Sequence, residues 1–199
     1  FVSSKPAQVG PVRSARESDA DLLGNYGRVA FAFSGGSGPT IASIFKGTQI
    51  NLSYDAGAGG FKRVSGRPAP YNLVGDPAAL LARAGGSVAP SDIGFRFGAV
   101  AAGATSAPGS TVATAYPLAR VSFSWDAASG RYLLTTDGTP DVTAAGTRVS
   151  AATVLVQTVR THASANKDVN GIATPVLEVV GTGSAVVLRD GQSYRGTWS

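Results

Sequence analysis

Apolar and polar positions follow two different rhythms along this chain. In the first half, short apolar clusters alternate with glycine-rich and proline-rich stretches. The segment 16–25, carrying Leu22 and Leu23, reads as a short helix that Gly24 or Gly27 would end. Arg28 to Phe33 (Arg-Val-Ala-Phe-Ala-Phe) reads as a compact strand. It runs into Ser34-Gly35-Gly36-Ser37-Gly38, and then into Pro39-Thr40-Ile41-Ala42-Ser43-Ile44-Phe45. Proline suits the first turn of a helix, where its missing N–H costs nothing, so Pro39 predicts a helix capped by Ser37 or Gly38. Asp76-Pro77 predicts another helix over 78–84, with Gly85 as its stop.

From about Ala115 the pattern turns to alternation with period two, which places every second side chain on one face of a strand. Strands are expected at 119–125, 131–136, 153–160, 175–180, 184–189 and 193–198. Asp190-Gly191, between the last two, is a tight-hairpin signal because both residues tolerate positive φ. Between the two rhythms lies 98–114, rich in Ala, Gly, Ser and Thr with Pro108 inside it, which reads as a connection. The expectation is therefore an α+β chain. A small mixed α/β amino-terminal part spans 1–97, the connection 98–114, and a mainly antiparallel β carboxy-terminal part 115–199. No repeat of 20 to 50 residues is visible.

Composition sharpens this picture in a few places. At 199 residues, 43% hydrophobic and 15% charged, the chain can bury a core and does not have the makeup of a disordered segment. No apolar run reaches the roughly 18 to 20 residues of a membrane-spanning helix. The net charge is +5, mostly from arginine, but the basic residues are scattered singly, and no basic run marks a nucleic-acid tail. Such a surface suits either anionic lipid or glycan surroundings or plain solubility. With no Cys, disulfides, thiolate metal sites and a cysteine nucleophile are excluded. There is no Met, and the chain opens on Phe1-Val2-Ser3-Ser4, inside an apolar–polar pattern. It reads as an excerpt of a longer protein.

Candidate chemistry is sparse. The strand, glycine-rich loop and helix start over 28–45 is an arrangement that offers free backbone N–H groups to an anion. It is not a phosphate-binding P-loop, because no Gly-Lys-Ser/Thr follows at the needed spacing. It is not a nucleophile elbow either, since Pro39 stands where the last glycine of Gly-x-Ser-x-Gly belongs. Gly35, Gly36 and Ser37 thus form either a plain tight turn or an anion loop.

Arg13 and Arg16 lie near Pro11 and a helix start, and Arg63 and Arg67 flank the turn-rich Gly66-Arg67-Pro68-Ala69-Pro70-Tyr71-Asn72. Guanidinium forks suit carboxylate or phosphate, but they also pin loops by donating to backbone carbonyls, and both uses stay open. His162, the only histidine, has no Cys or second His to share a metal, so no metal and no cofactor is expected. Glu17 and Glu178 are the only glutamates, and Asp126, Asp137, Asp141 and Asp190 sit in apparent turns, so no spacing proposes a catalytic carboxylate pair. Trp125 and Trp198, at strand ends, read as packing residues. Arg13, Arg16, Arg63 and Asn72 are expected to converge beside the Gly35–Gly38 helix start.

Several stretches together resemble a family. Val9 to Arg16, Gly35-Gly36-Ser37, Phe61-Lys62-Arg63 and Ala69-Pro70-Tyr71-Asn72-Leu73 look like the amino-terminal part of the YerB-like lipoproteins, bacterial exported proteins of unknown function. Arg131-Tyr132-Leu133, Gly138-Thr139-Pro140-Asp141, Thr153 to Gln157, Gly181 to Ala185, and Arg189-Asp190-Gly191 with Gly196-Thr197-Trp198 follow the carboxy-terminal pattern in order. That family pattern has histidine where Tyr71 stands and again near Asp141, so no role resting on those histidines carries over.

The resemblance implies two α+β parts in a protein held extracytoplasmically, on the outer face of the cytoplasmic membrane, by a lipid anchor upstream of this excerpt. Together these readings give an expected function. The chain would be a non-enzymatic binding module, or an accessory subunit of a membrane-associated complex. Its partner would be an envelope protein or an anionic envelope ligand, and not nucleic acid. The candidate ligand-binding residues are Arg13, Arg16, Gly35, Gly36, Ser37, Arg63, Arg67 and Asn72. The alternative is an enzyme acting on cell-wall or other anionic material through an Arg-rich cleft.

Overall fold

The computed structural model describes residues 8–86, 88–116, 119–167, 171 and 173–199. The opening Phe1-Val2-Ser3-Ser4 pattern lies outside them. The described residues carry antiparallel strands for the most part, with three short helices: α1 (Glu17–Gly24), α2 (Gly38–Phe45) and α3 (Pro77–Arg83). The chain divides into two compact units. One comprises Phe1–Arg96 with Arg160–Val180, the other Phe97–Val159 with Gly181–Ser199.

The first unit is built on a parallel pair. Strand Ala30–Phe33 runs beside Ile50–Ser53, Ala30 opposite Ile50 through Phe33 opposite Ser53, and α2 is the crossover between them. Phe33 and Ile44 are buried with Ala15 on one side of the pair, while Leu52, Leu80 and Ala84 are buried together around α3. The helix signals act as their chemistry requires. The Ser37 hydroxyl caps α2 by accepting from the Thr40 N–H at 3.3 Å, with Pro39 in the first turn. The Asp76 carboxylate caps α3 by accepting from the Ala78 and Ala79 N–H groups at 2.9 and 3.1 Å. In α1, Leu22 faces solvent, and it is Ala20 that packs toward the Phe33 core.

Among the described residues three antiparallel pairs complete this unit, one of them Gly27–Arg28 with Ala89–Pro90. Phe61–Arg63 pairs with Leu73–Gly75, and the hairpin Thr161–Lys167 with Ala173–Leu177. The hairpin differs from the expected layout, which placed a strand at 175–180 in the carboxy-terminal part. It groups with the first unit because Glu17 of α1 holds it. The Glu17 carboxylate accepts from the Ser164 hydroxyl and, at 2.7 Å, from the Asn166 side-chain amide.

The second unit is two antiparallel sheets. One runs in the order Thr139–Pro140, Arg131–Thr136, Ala119–Asp126, Thr111–Tyr116, with Ser150–Ala151 also on the Arg131 strand. The other runs Thr153–Gln157, Gly183–Arg189, Gln192–Trp198, Ala107–Pro108. The stretch 98–114, read as a connection, therefore contributes strands to both sheets. Its alanines and threonines hid them because they give little alternation in hydropathy. Tyr132, Val154 and Leu188 are buried at the centre with Trp125 packed against Tyr132, the ring centroids 5.0 Å apart. The Tyr132 hydroxyl donates to the Gly109 carbonyl at 2.8 Å, which satisfies a polar group that burial would otherwise leave costly. Asp190 and Gly191 have φ of 52° and 72°, the geometry that lets Arg189 pair with Gln192 across a two-residue turn.

Candidate functional site

An open cleft of about 690 Å³ in the first unit lies at the carboxyl ends of the parallel pair. Ligands in α/β arrangements favour this place, because the chain leaves each strand there and a helix N-terminus points at the opening. The loop Ser34–Ser37 leaves the first strand and Tyr54 and Asp55 leave the second, and all six line the cleft. The Tyr54 N–H donates to the Phe33 carbonyl at 2.9 Å, so both exits are held in register.

The segment before α1 is laced into the same place. The Val12 N–H donates to Leu73, the Ser34 N–H to Arg13, and the Ala15 N–H to Gly35, all at 2.8 to 2.9 Å. Backbone pairing on both sides of Arg13 fixes where its side chain starts. Arg13, Arg16 and Arg63 line the cleft with Gly35, Gly36 and Ser37, and Lys167 and Thr174 reach it from the 161–177 hairpin. Asn72 joins through Arg63, whose Nη1 donates to the Asn72 Oδ1 at 2.8 Å. Arg67 is exposed in its turn and is not among the lining residues.

How each arginine is held bears on its use. The Arg13 guanidinium lies 4.6 Å from the Tyr71 ring centroid, and that of Arg63 lies 5.5 Å from the Tyr54 ring. An aromatic face steadies a guanidinium through its electron-rich ring and consumes none of its N–H donors. Arg16 donates through Nη1 to the Ala15 carbonyl at 3.0 Å and to that of Ser14 at 3.5 Å. Arg83 and Arg148 show the other use of the residue. Arg83 donates to the Gly57 and Gly59 carbonyls at 2.8 and 2.6 Å, and Arg148 to the carbonyls of Leu134 and Asp141. Those two are pins. Among the described residues, none of Arg13, Arg16, Arg63 and Lys167 is in an ion pair.

The cleft thus gathers four cations and, among its described lining residues, one carboxylate, Asp55. Tyr54, Lys167, Thr174 and the shelving Tyr71 were not singled out from the sequence for this site, whereas Asp55, with Glu17, Asp19 and Asp21, is among the acids near enough in sequence to answer the arginines. Lys167 and Thr174 belong to a hairpin distant in the chain, and only aromatic residues one or two places from a basic turn hinted at the rings. His162, outside the cleft lining, sits 3.4 Å from Glu178 on the hairpin surface. Hydrogen bonds from Asn166 and Ser164, with a smaller contribution from His162, hold the Glu17 carboxyl below the usual glutamate range.

The amino-terminal domain profile of the proteins of unknown function DUF3048 matches residues 1–89, and the carboxy-terminal domain profile matches 112–199. Among solved structures, the YerB protein from Bacillus subtilis superposes with a TM-score of 0.74 at 19% identity. The match covers 100% of this chain and 67% of that one, and at this identity it shows a shared fold. No curated protein matches the chain.

Proposed function

The chain belongs to the YerB-like DUF3048 family, and from that premise we propose that its first unit is a binding module for an anionic ligand. The single observation behind this reading is the cleft itself. Arg13 and Arg63 are steadied on tyrosine rings, Arg16 uses one nitrogen on nearby carbonyls, and Lys167 adds a fourth charge. Among the described residues these cations have no ion-pair partner, and like charges repel, a cost that a bound phosphate or carboxylate removes. Binding is preferred to catalysis because the described lining groups are mostly donors, with one carboxylate and no histidine among them.

The setting we propose is the bacterial envelope. The module would be held at the outer face of the cytoplasmic membrane by a lipid anchor and would serve as an accessory subunit or receptor there. Family likeness supports that placement, and fractionation of cells producing the full-length protein tests it. Recovery in the soluble cytoplasm would end it.

The anion reading is tested by calorimetric titration with pyrophosphate at low salt. Saturable binding that weakens with added salt, and falls about tenfold in Arg13→Ala or Arg63→Ala, is the expected result. Equal affinity in wild type and both variants would refute the site.

A further inference from the structure

We infer that the ligand carries a primary ammonium beside its anionic group, and that Asp55 reads it; this rests on the anion-binding reading of the cleft. The backbone around Asp55 is fixed by the sheet. Asp55 follows Tyr54, whose N–H continues the parallel pairing to Phe33, and its backbone turns where the Ala56 N–H donates to the Ser53 hydroxyl at 3.1 Å. Its carboxylate lies against buried Gly35, so closely that a Cβ there would come within 2.2 Å of Oδ2. The glycine leaves the room that the carboxylate fills.

A carboxylate among three arginines and a lysine would be expected to pair with one of them if balancing charge were its task. Among the described residues Asp55 has no ion pair. Among the described residues the cleft therefore presents charge of both signs with no ion pair between them. A purely anionic ligand would gain from the cations and lose to Asp55, since like charges close together cost free energy. A phosphate or carboxylate bearing a primary ammonium satisfies both. Its anionic end meets the guanidiniums and the Ser34–Ser37 loop, and its ammonium donates to Asp55. Amino acids and aminoalkyl phosphates share this chemistry.

O-Phosphoethanolamine and ethyl phosphate are a matched pair of similar size that differ by the ammonium. Each is titrated calorimetrically into the full chain and into Asp55→Asn at low ionic strength. The wild type is expected to bind phosphoethanolamine about fivefold more tightly, the scale of one exposed charge pair. In Asp55→Asn the two ligands should fall within about twofold of each other. Equal affinities in the wild type would overturn the inference and leave the anion site standing. A variant that tightens both ligands alike would also overturn it, because Asp55 would then act by repulsion alone. If neither ligand binds the wild type, the anion reading fails as well. The wild-type ratio decides the matter even if the variant does not fold.

Discussion

The two units of this chain use arginine and tyrosine in opposite ways. In the second unit Tyr132 is fully buried between sheets with its hydroxyl spent on the Gly109 carbonyl, and Arg148 is spent on the carbonyls of Leu134 and Asp141. In the first unit Tyr54 and Tyr71 lie nearer the surface and serve as shelves, and among the described residues the guanidiniums they carry keep most of their donors. A saturated donor stabilises a fold, whereas an unsaturated one in an open cleft is available to something else. The contrast separates a unit organised around a core from a unit organised around an opening.

The sharpest way to break the comparison is at its most buried residue. Tyr132→Ala should cost about 3 to 5 kcal/mol, the usual penalty for removing a large core aromatic. Chemical denaturation followed through Trp125 would report it, while pyrophosphate binding by the first unit should persist. A loss below about 1 kcal/mol would mean that the sheets do not depend on this ring. Next in size, Arg63→Ala should weaken pyrophosphate binding about tenfold, near 1.4 kcal/mol, with a change in melting no larger than about 0.5 kcal/mol. A large drop in melting temperature would make Arg63 a pin like Arg83.

A smaller effect is expected at Glu17, which joins α1 to the hairpin carrying Lys167. Because its folded pKa is depressed, its contribution is complete above the ordinary glutamate range near pH 4.5. It is lost as pH falls through the lowered value. Glu17→Gln should cost about 1 kcal/mol at pH 7 and nearly nothing well below pH 4, read from melts across that range. A difference that grows with acidity would reverse the sign of this argument. Smallest in stability is Gly35→Ala. Its methyl group meets the tip of the Asp55 side chain, which can swing away, so the fold should change by about 0.5 kcal/mol or less. Any preference for phosphoethanolamine over ethyl phosphate should nevertheless fall, and an unchanged preference would separate Asp55 from the ligand.

What the sequence determined by itself is local. Ser37 and Asp76 cap helices because a hydroxyl or carboxylate can reach the free N–H groups of the next turn, and that reach spans two or three residues. Asp190-Gly191 closes a hairpin because both residues accept positive φ, and alternation across 184–189 and 193–198 marks the strands on either side. The convergence of Arg13, Arg16 and Arg63 was legible from their proline-bound turns and from family likeness. Tertiary structure alone decided the rest. Pairing Ala30–Phe33 parallel to Ile50–Ser53 set Asp55 beside Gly35, and anchoring the 161–177 hairpin on Glu17 brought Lys167 to the cleft. Periodicity tells which face of a strand is buried but not which distant strand lies beside it. The opposite charge in the cleft comes from just such a distant pairing.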